Sequence, residues 1–174
     1  MKALSKFQSQ WITLLSLLVL MVFFSGCETN EPNVQVLKNL YSEDINKQNL
    51  EIIEASLADN YIRHCQAMPP DLQRIEGKEK IMELFKGHFS AFPDWKEEIE
   101  IKAVDNDIIA YLSKGTGTQT GQAGNLPPKG KKCDLDHVII HRFEDGKIAE
   151  TWVSWDNLTL LGQLGHYPPP LNNG

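Results

Sequence analysis

Asp156 sits in the stretch SWDNLTLLGQLG, residues 154–165, where a strand-like run gives way to a short leucine-rich helix that ends on glycine. A carboxylate at such a junction has two uses. It can cap the helix by accepting backbone N–H groups, or it can act as general acid or base on a ligand held beside the strand. The two roles can coexist. Imidazoles are the other candidates, because they change protonation state near neutral pH. They are His64 in YIRHC and the pair His137 and His141 in CDLDHVIIH, whereas His88 and His166 read as surface or helix-end residues.

Alternation along a strand puts His137, Ile139 and His141 on one face, and Thr151, Val153 and Trp155 on one face of the next strand. Cys133, His137 and His141 are evenly spaced, but four residues of strand span about 13 Å, so consecutive members cannot share a zinc ion. No metal site is predicted. GTGTQTG falls in a strand and its hairpin end rather than between a strand and a helix, so it is not a phosphate cradle. A G-x-S-x-G nucleophile motif is absent from the sequence. Acid/base chemistry without a covalent intermediate is what the residue types leave. Trp152 and Trp155, with Tyr61, Tyr111 and Phe85, read as core, and any of them in a cavity favours a flat or apolar ligand.

The elements that position these groups follow a leader. Lys2 and Lys6 precede the apolar run WITLLSLLVLMVFF, and small residues stand before Cys27. That is the layout of a secretory signal, with an apolar core shorter than the roughly 20 residues of a membrane span. Small residues immediately before a cysteine resemble the lipobox of bacterial lipoproteins, which implies lipidation of Cys27; an ordinary signal peptide or uncleaved anchor is the alternative. Residues 1–26 then form the signal peptide, 27–34 a polar tether, 35–166 the domain and 167–174 a tail. The expected location is the cell envelope, and Glu28 after the cysteine points to the periplasmic face of the outer membrane if the source is Gram-negative. Loss of Lys2 and Lys6 takes the formal net charge from −6 to −8, which excludes nucleic acid and anionic lipid surfaces as partners. Cys65 and Cys133 remain, either bridged or as two buried thiols.

Apolar positions at three- and four-residue spacing predict helices over Val34–Asn46, from Leu50 to about Asn60, and over Gly77–Phe89. Residues 61–65 are short and β-like. Alternation predicts strands over Trp95–Val104, Ile108 to about Gln119, Cys133–Phe143 and Lys147–Trp155, with a tight turn at Glu144-Asp145-Gly146. Helices followed by a run of strands indicate an α+β domain, the helices packed on one face of a curved antiparallel sheet.

The segments IEGKEKIMELFKGHFSAFPDWKEEIE, GNLPPKGKKCDLD and HRFEDGKIAETWVSWDNLTLLGQLG resemble the SnoaL-like polyketide cyclase or ester cyclase family of the NTF2-like superfamily, over about residues 35–166. The resemblance implies a cone-shaped α+β barrel of three N-terminal helices, a curved sheet and a short C-terminal helix. It also implies a homodimer through the sheet, one apolar pocket for a small apolar ligand or substrate, and no metal or organic cofactor. Aligned on FEDGKI and QLG, the family's acid/base aspartate falls at Val153 and its partner histidine at Ile139, both apolar here. If those positions line the pocket, so do His137, His141, Thr151 and Trp155, with Tyr61 beside them, His64 at the mouth and Asp156 at the rim. The expected catalytic groups are therefore Asp156, His64 and His137. Two functions follow: a cyclase, isomerase or hydrolase acting on an apolar carbonyl compound, or an envelope lipoprotein that holds a hydrophobic ligand unchanged.

Overall fold

The computed structural model describes residues 31–168. The signal peptide, Cys27, most of the tether and the end of the tail lie outside the described residues. Helix α1 (Glu31–Asn39) runs on through a π-helical turn, Leu40–Ile45, and is followed by α2 (Leu50–Ser56). Strand β1 (Leu57–His64), a 3-10 turn at Pro70–Leu72 and the short β2 (Arg74–Glu76) lead into α3 (Lys78–Ala91). Then come β3 (Lys96–Asp105), β4 (Ile108–Thr118), β5 (Lys132–Glu144), β6 (Lys147–Trp155) and α4 (Asn157–Gln163). The strands form one curved, unclosed sheet in the order β2-β1-β6-β5-β4-β3, with helices on it.

Two expectations need correction. The second helix stops at Ser56 instead of near Asn60, because Leu57 turns to extended geometry and pairs with Ile148, burying both side chains. Tertiary pairing here overrides the helical spacing that Leu57 shares with Ile53. The sheet is also not purely antiparallel: β1 lies parallel to β6, joined through the whole β-hairpin series, and β2 pads the outer edge of β1. The hairpin between β5 and β6 is as tight as the sequence indicates, since Asp145 and Gly146 both take positive φ, 51° and 74°, the twist that a two-residue turn needs. Cys65 and Cys133 are buried free thiols.

Burial alternates strictly along β4 and β5, so odd-numbered residues face the helices and even-numbered ones face outward. The core packs Leu37, Ile53, Ile81, Ile109, Ile148 and Leu164 with almost no exposure. Through it runs a chain of polar side chains. Tyr41 Oη lies 2.7 Å from Tyr111 Oη, which lies 2.7 Å from His141 Nε2. His141 Nδ1 lies 2.8 Å from Thr151 Oγ1, and Tyr61 hydrogen-bonds the same threonine. The chain thus ties α1's π-helical turn to β4, β5, β6 and β1. Burial pushes the His141 imidazole down to about 3, so it is neutral, and pushes the Tyr61 phenol up to about 12.

Because His141 binds a proton less readily in the folded chain than in the unfolded one, its contribution to stability is complete above pH 6.5. It is lost as pH falls from 6.5 toward about 3. The slope for one such group is about 1.4 kcal/mol per pH unit. Urea unfolding at pH 7.5 and pH 5 should show the wild type losing about 2 kcal/mol more than His141→Gln over that interval. Equal pH dependence in the two proteins would show that the imidazole is not held neutral by burial.

Candidate functional site

Between the helices and the inward face of the sheet lies a cavity of about 700 Å³, mostly apolar. Leu40, Ile53, Phe85, Leu135, Ile139 and Val153 are among its lining residues. A second cleft, about 740 Å³, lies between α2 and α3, but charged side chains such as Glu51, Glu54 and Lys86 line it. There Lys78 Nζ already pairs with Asp59 Oδ1 at 2.8 Å. That cleft is an ordinary solvated surface, and the chemistry belongs to the apolar cavity.

Its polar groups gather where β6 meets α4. Arg63 on β1, His137 on β5 and Trp155 at the end of β6 all line the cavity. Arg63 Cζ stands 6.0 Å from the centre of the Trp155 ring, and the Trp155 and His137 rings are 5.7 Å apart. Trp95, just before β3, meets His137 edge to face on one side and His88 of α3 on the other, at 6.2 and 4.5 Å. Glycines on β4 make this packing possible. A Cβ on Gly115 would lie 2.3 Å from Trp95 Cζ2 and 2.9 Å from His137 Cε1, and one on Gly117 would lie 2.8 Å from Trp95 Cε3. Both aromatic rings therefore occupy space that any larger residue would take.

Three buried nitrogens on this wall have no hydrogen-bond partner among the described residues: Arg63 Nη1, His137 Nδ1 and Trp155 Nε1. Buried polar atoms are rarely left so, because each forfeits its hydration without return. His88 is pushed down to about 4, first by burial and then by its neighbours His137 and Arg63. Two carboxylates line the cavity among the described residues: Glu83 on α3, which is exposed, and Glu97 on β3, both of whose oxygens have donors, Trp95 Nε1 at 2.7 Å on Oε1 and Ser113 Oγ at 2.5 Å on Oε2.

Of the residues expected at the site, His137, Tyr61, Ile139, Thr151, Val153 and Trp155 all line the cavity. His64 and Asp156 do not. His64 lies on the opposite face of the sheet, its ring stacked on Trp152 at 5.3 Å and its Nε2 2.8 Å from Glu150 Oε1. Strand alternation dictates this. Tyr61 and His64 are three residues apart on β1, so they face opposite ways, and Arg63 takes the inward place. Asp156 is the N-cap of α4 and is exposed. Its Oδ1 accepts from Leu158 N and Thr159 N at 3.0 and 3.1 Å, and its Oδ2 accepts from Thr159 Oγ1 at 2.7 Å. Those donors hold its pKa below the usual carboxylate range, the reverse of what a proton donor at neutral pH needs. The residues that sequence reading missed are Arg63, Glu97 and His88; two-residue spacing from Tyr61 and from Trp95 marks the first two. Among the described residues, no group of three or more His, Cys, Asp or Glu side chains is placed to hold a metal ion.

Known structures share this architecture. A protein assigned as a SnoaL-like polyketide cyclase from Jannaschia sp. is 20% identical, with a TM-score of 0.71 over 83% of this chain and 99% of its own. IdmH, assigned as a polyketide cyclase, from Streptomyces antibioticus is 24% identical, with a TM-score of 0.64 over 76% and 98%. A protein from Bacillus cereus assigned as a polyketide cyclase is 27% identical, with a TM-score of 0.59 over 77% and 80%. No curated protein matches the chain. The sequence model of the SnoaL-like polyketide cyclases matches residues 35–164, from within α1 to the end of α4 and including the whole cavity wall, and the chain therefore belongs to that family.

Proposed function

We propose that this chain is a cofactor-free enzyme that moves a proton on a small apolar carbonyl compound, in the manner of a cyclase or isomerase. The observation that carries the reading is the set of three unpartnered nitrogens on one wall of an apolar cavity. Arg63 and Trp155 can only donate, so they suit an oxygen on which negative charge develops. His137 can take a proton from the carbon beside that oxygen. The C–H pair becomes the enolate, the enolate carbon attacks a second carbonyl of the same molecule or is reprotonated elsewhere, and His137 returns the proton. Val153 and Ile139 favour a second reading, since the positions aligned with the family's acid/base pair are apolar here. A ligand-holding protein without turnover is then the alternative.

The two readings part in heavy water. Native mass spectrometry of the full chain from its own host identifies the bound compound, which is then incubated with the protein in D₂O. Wild type should introduce deuterium beside the carbonyl, His137→Gln should do so at least about 100-fold more slowly, and Asp156→Asn should match wild type. Return of the compound without deuterium would leave the binding reading in place.

We place the domain in the cell envelope, held by lipid on Cys27, as the leader suggests. Radiolabelled palmitate fed to the host should enter wild type and be absent from Cys27→Ser; label retained in the variant would refute the anchor. For the outer face of the sheet we propose a second copy as partner. Leu112, Val138 and Trp152 are exposed there, 37 to 57%, and cross-strand pairing sets Leu112 beside Val138 and Ile140 beside Trp152. Contiguous exposed apolar surface of this kind marks interfaces. Sedimentation should give a dimer for wild type and a monomer for Val138→Glu, and a wild-type monomer would reject the pairing.

A further inference from the structure

Arg63 is only 9% exposed, yet its guanidinium has no hydrogen bond and no ion pair among the described residues, and its one charge contact is the face of Trp155. An arginine taken out of water normally keeps a carboxylate, because a buried charge without a counter-charge is among the costlier arrangements in a protein. Of the neighbouring acids, Glu83 lies on α3 among the cavity's lining residues, exposed and in no ion pair with Arg63. Glu150 lies on the outer face with His64 and Arg142. Glu97, on the cavity wall, receives Trp95 and Ser113. The other titratable groups of this wall, His88 and His137, supply no negative charge, and Arg63 itself helps hold His88 unprotonated. The wall is thus a donor-rich, cationic end of an otherwise apolar chamber.

We infer that the cavity takes an apolar monocarboxylate, whose carboxylate ion-pairs with Arg63 and whose hydrocarbon body fills the chamber. A carboxylate has about four acceptor sites on two oxygens, so it can meet Arg63 Nη1 and Trp155 Nε1 together. An amide or ester of the same shape offers one carbonyl oxygen and no charge. The inference builds on the pocket reading above and names the class of compound that pocket selects; the carbonyl of the proposed chemistry is then a second group on the same acid, beside the carboxylate, and shares the remaining N–H donors of the Arg63 guanidinium.

The test needs no turnover. Titration calorimetry of the full chain in detergent compares three acids with their amides: 2-naphthoate, cyclohexanecarboxylate and decanoate. At least one acid should bind about tenfold or more tightly than its amide. Arg63→Met, which keeps the apolar stem, should lose that preference while binding the amide as wild type does, and Arg63→Lys should restore part of it. The acid–amide comparison on wild type stands even if Arg63→Met fails to fold. Equal affinity within every pair, including no binding of any acid, overturns the inference, as does a preference that survives in Arg63→Met. Deuterium exchange plays no part in this measurement, so a carboxylate preference without exchange would leave this inference standing and remove the catalytic reading alone.

Discussion

The buried chain from Tyr41 through Tyr111, His141 and Thr151 to Tyr61 constrains everything built around it. A neutral imidazole has one N–H and one lone pair, so His141 joins its neighbours only if Tyr111 stands on one side and Thr151 on the other. Each link comes from a different element, and a shift of one residue in the register of β4, β5 or β6 would turn one member outward. The chain therefore fixes which face of these strands lines the cavity. His137, four residues from His141 on the same face, is placed about 13 Å along the strand from it.

At that other end, packing does the positioning. Trp95 lies against Gly115 and Gly117 because no Cβ stands in its way, and His137 and His88 rest against its edges. Trp95 also donates to Glu97, so the indole is held by a hydrogen bond as well as by contact. Side chains fixed in this way lose little further freedom when a ligand arrives, and that is how an apolar chamber presents polar atoms at defined positions.

Much of this was legible in the sequence. Period-two alternation set His137, Ile139 and His141 on one face of β5 and Thr151, Val153 and Trp155 on one face of β6, the resemblance implied that these faces line the pocket, and all six residues line the cavity. The same rule, applied from Tyr61, points to Arg63 in place of His64; reading the histidine by its chemistry rather than by its parity led to the wrong face. Asp156 carried two possible roles from the start, and only the two backbone N–H groups and the Thr159 hydroxyl at its oxygens decide for the cap. The parallel pairing of β1 with β6 left no local trace, because it joins residues roughly ninety positions apart and depends on burying Leu57 with Ile148. Unpartnered nitrogens are equally invisible to sequence, since they are defined by what does not reach them.

Three cross-strand pairs of β5 and β6 explain how the site differs from what the family alignment implies: His137 with Trp155, Ile139 with Val153, and His141 with Thr151. The resemblance implies an acid/base pair on the middle rung, and here that rung is apolar. Polar groups stand on the rungs to either side, in unequal condition. The inner rung is satisfied within the protein, His141 and Thr151 bonding each other and the two ends of the tyrosine chain. The outer rung keeps His137 Nδ1 and Trp155 Nε1 unpartnered, and Arg63 stands over Trp155 with its own nitrogen free. Unmet hydrogen-bonding capacity is what attracts a polar ligand group in an apolar chamber. With the middle rung apolar, the unmet polar atoms of the cavity stand one rung toward α4, where the oxygen atoms of the proposed ligand would complete the bonding.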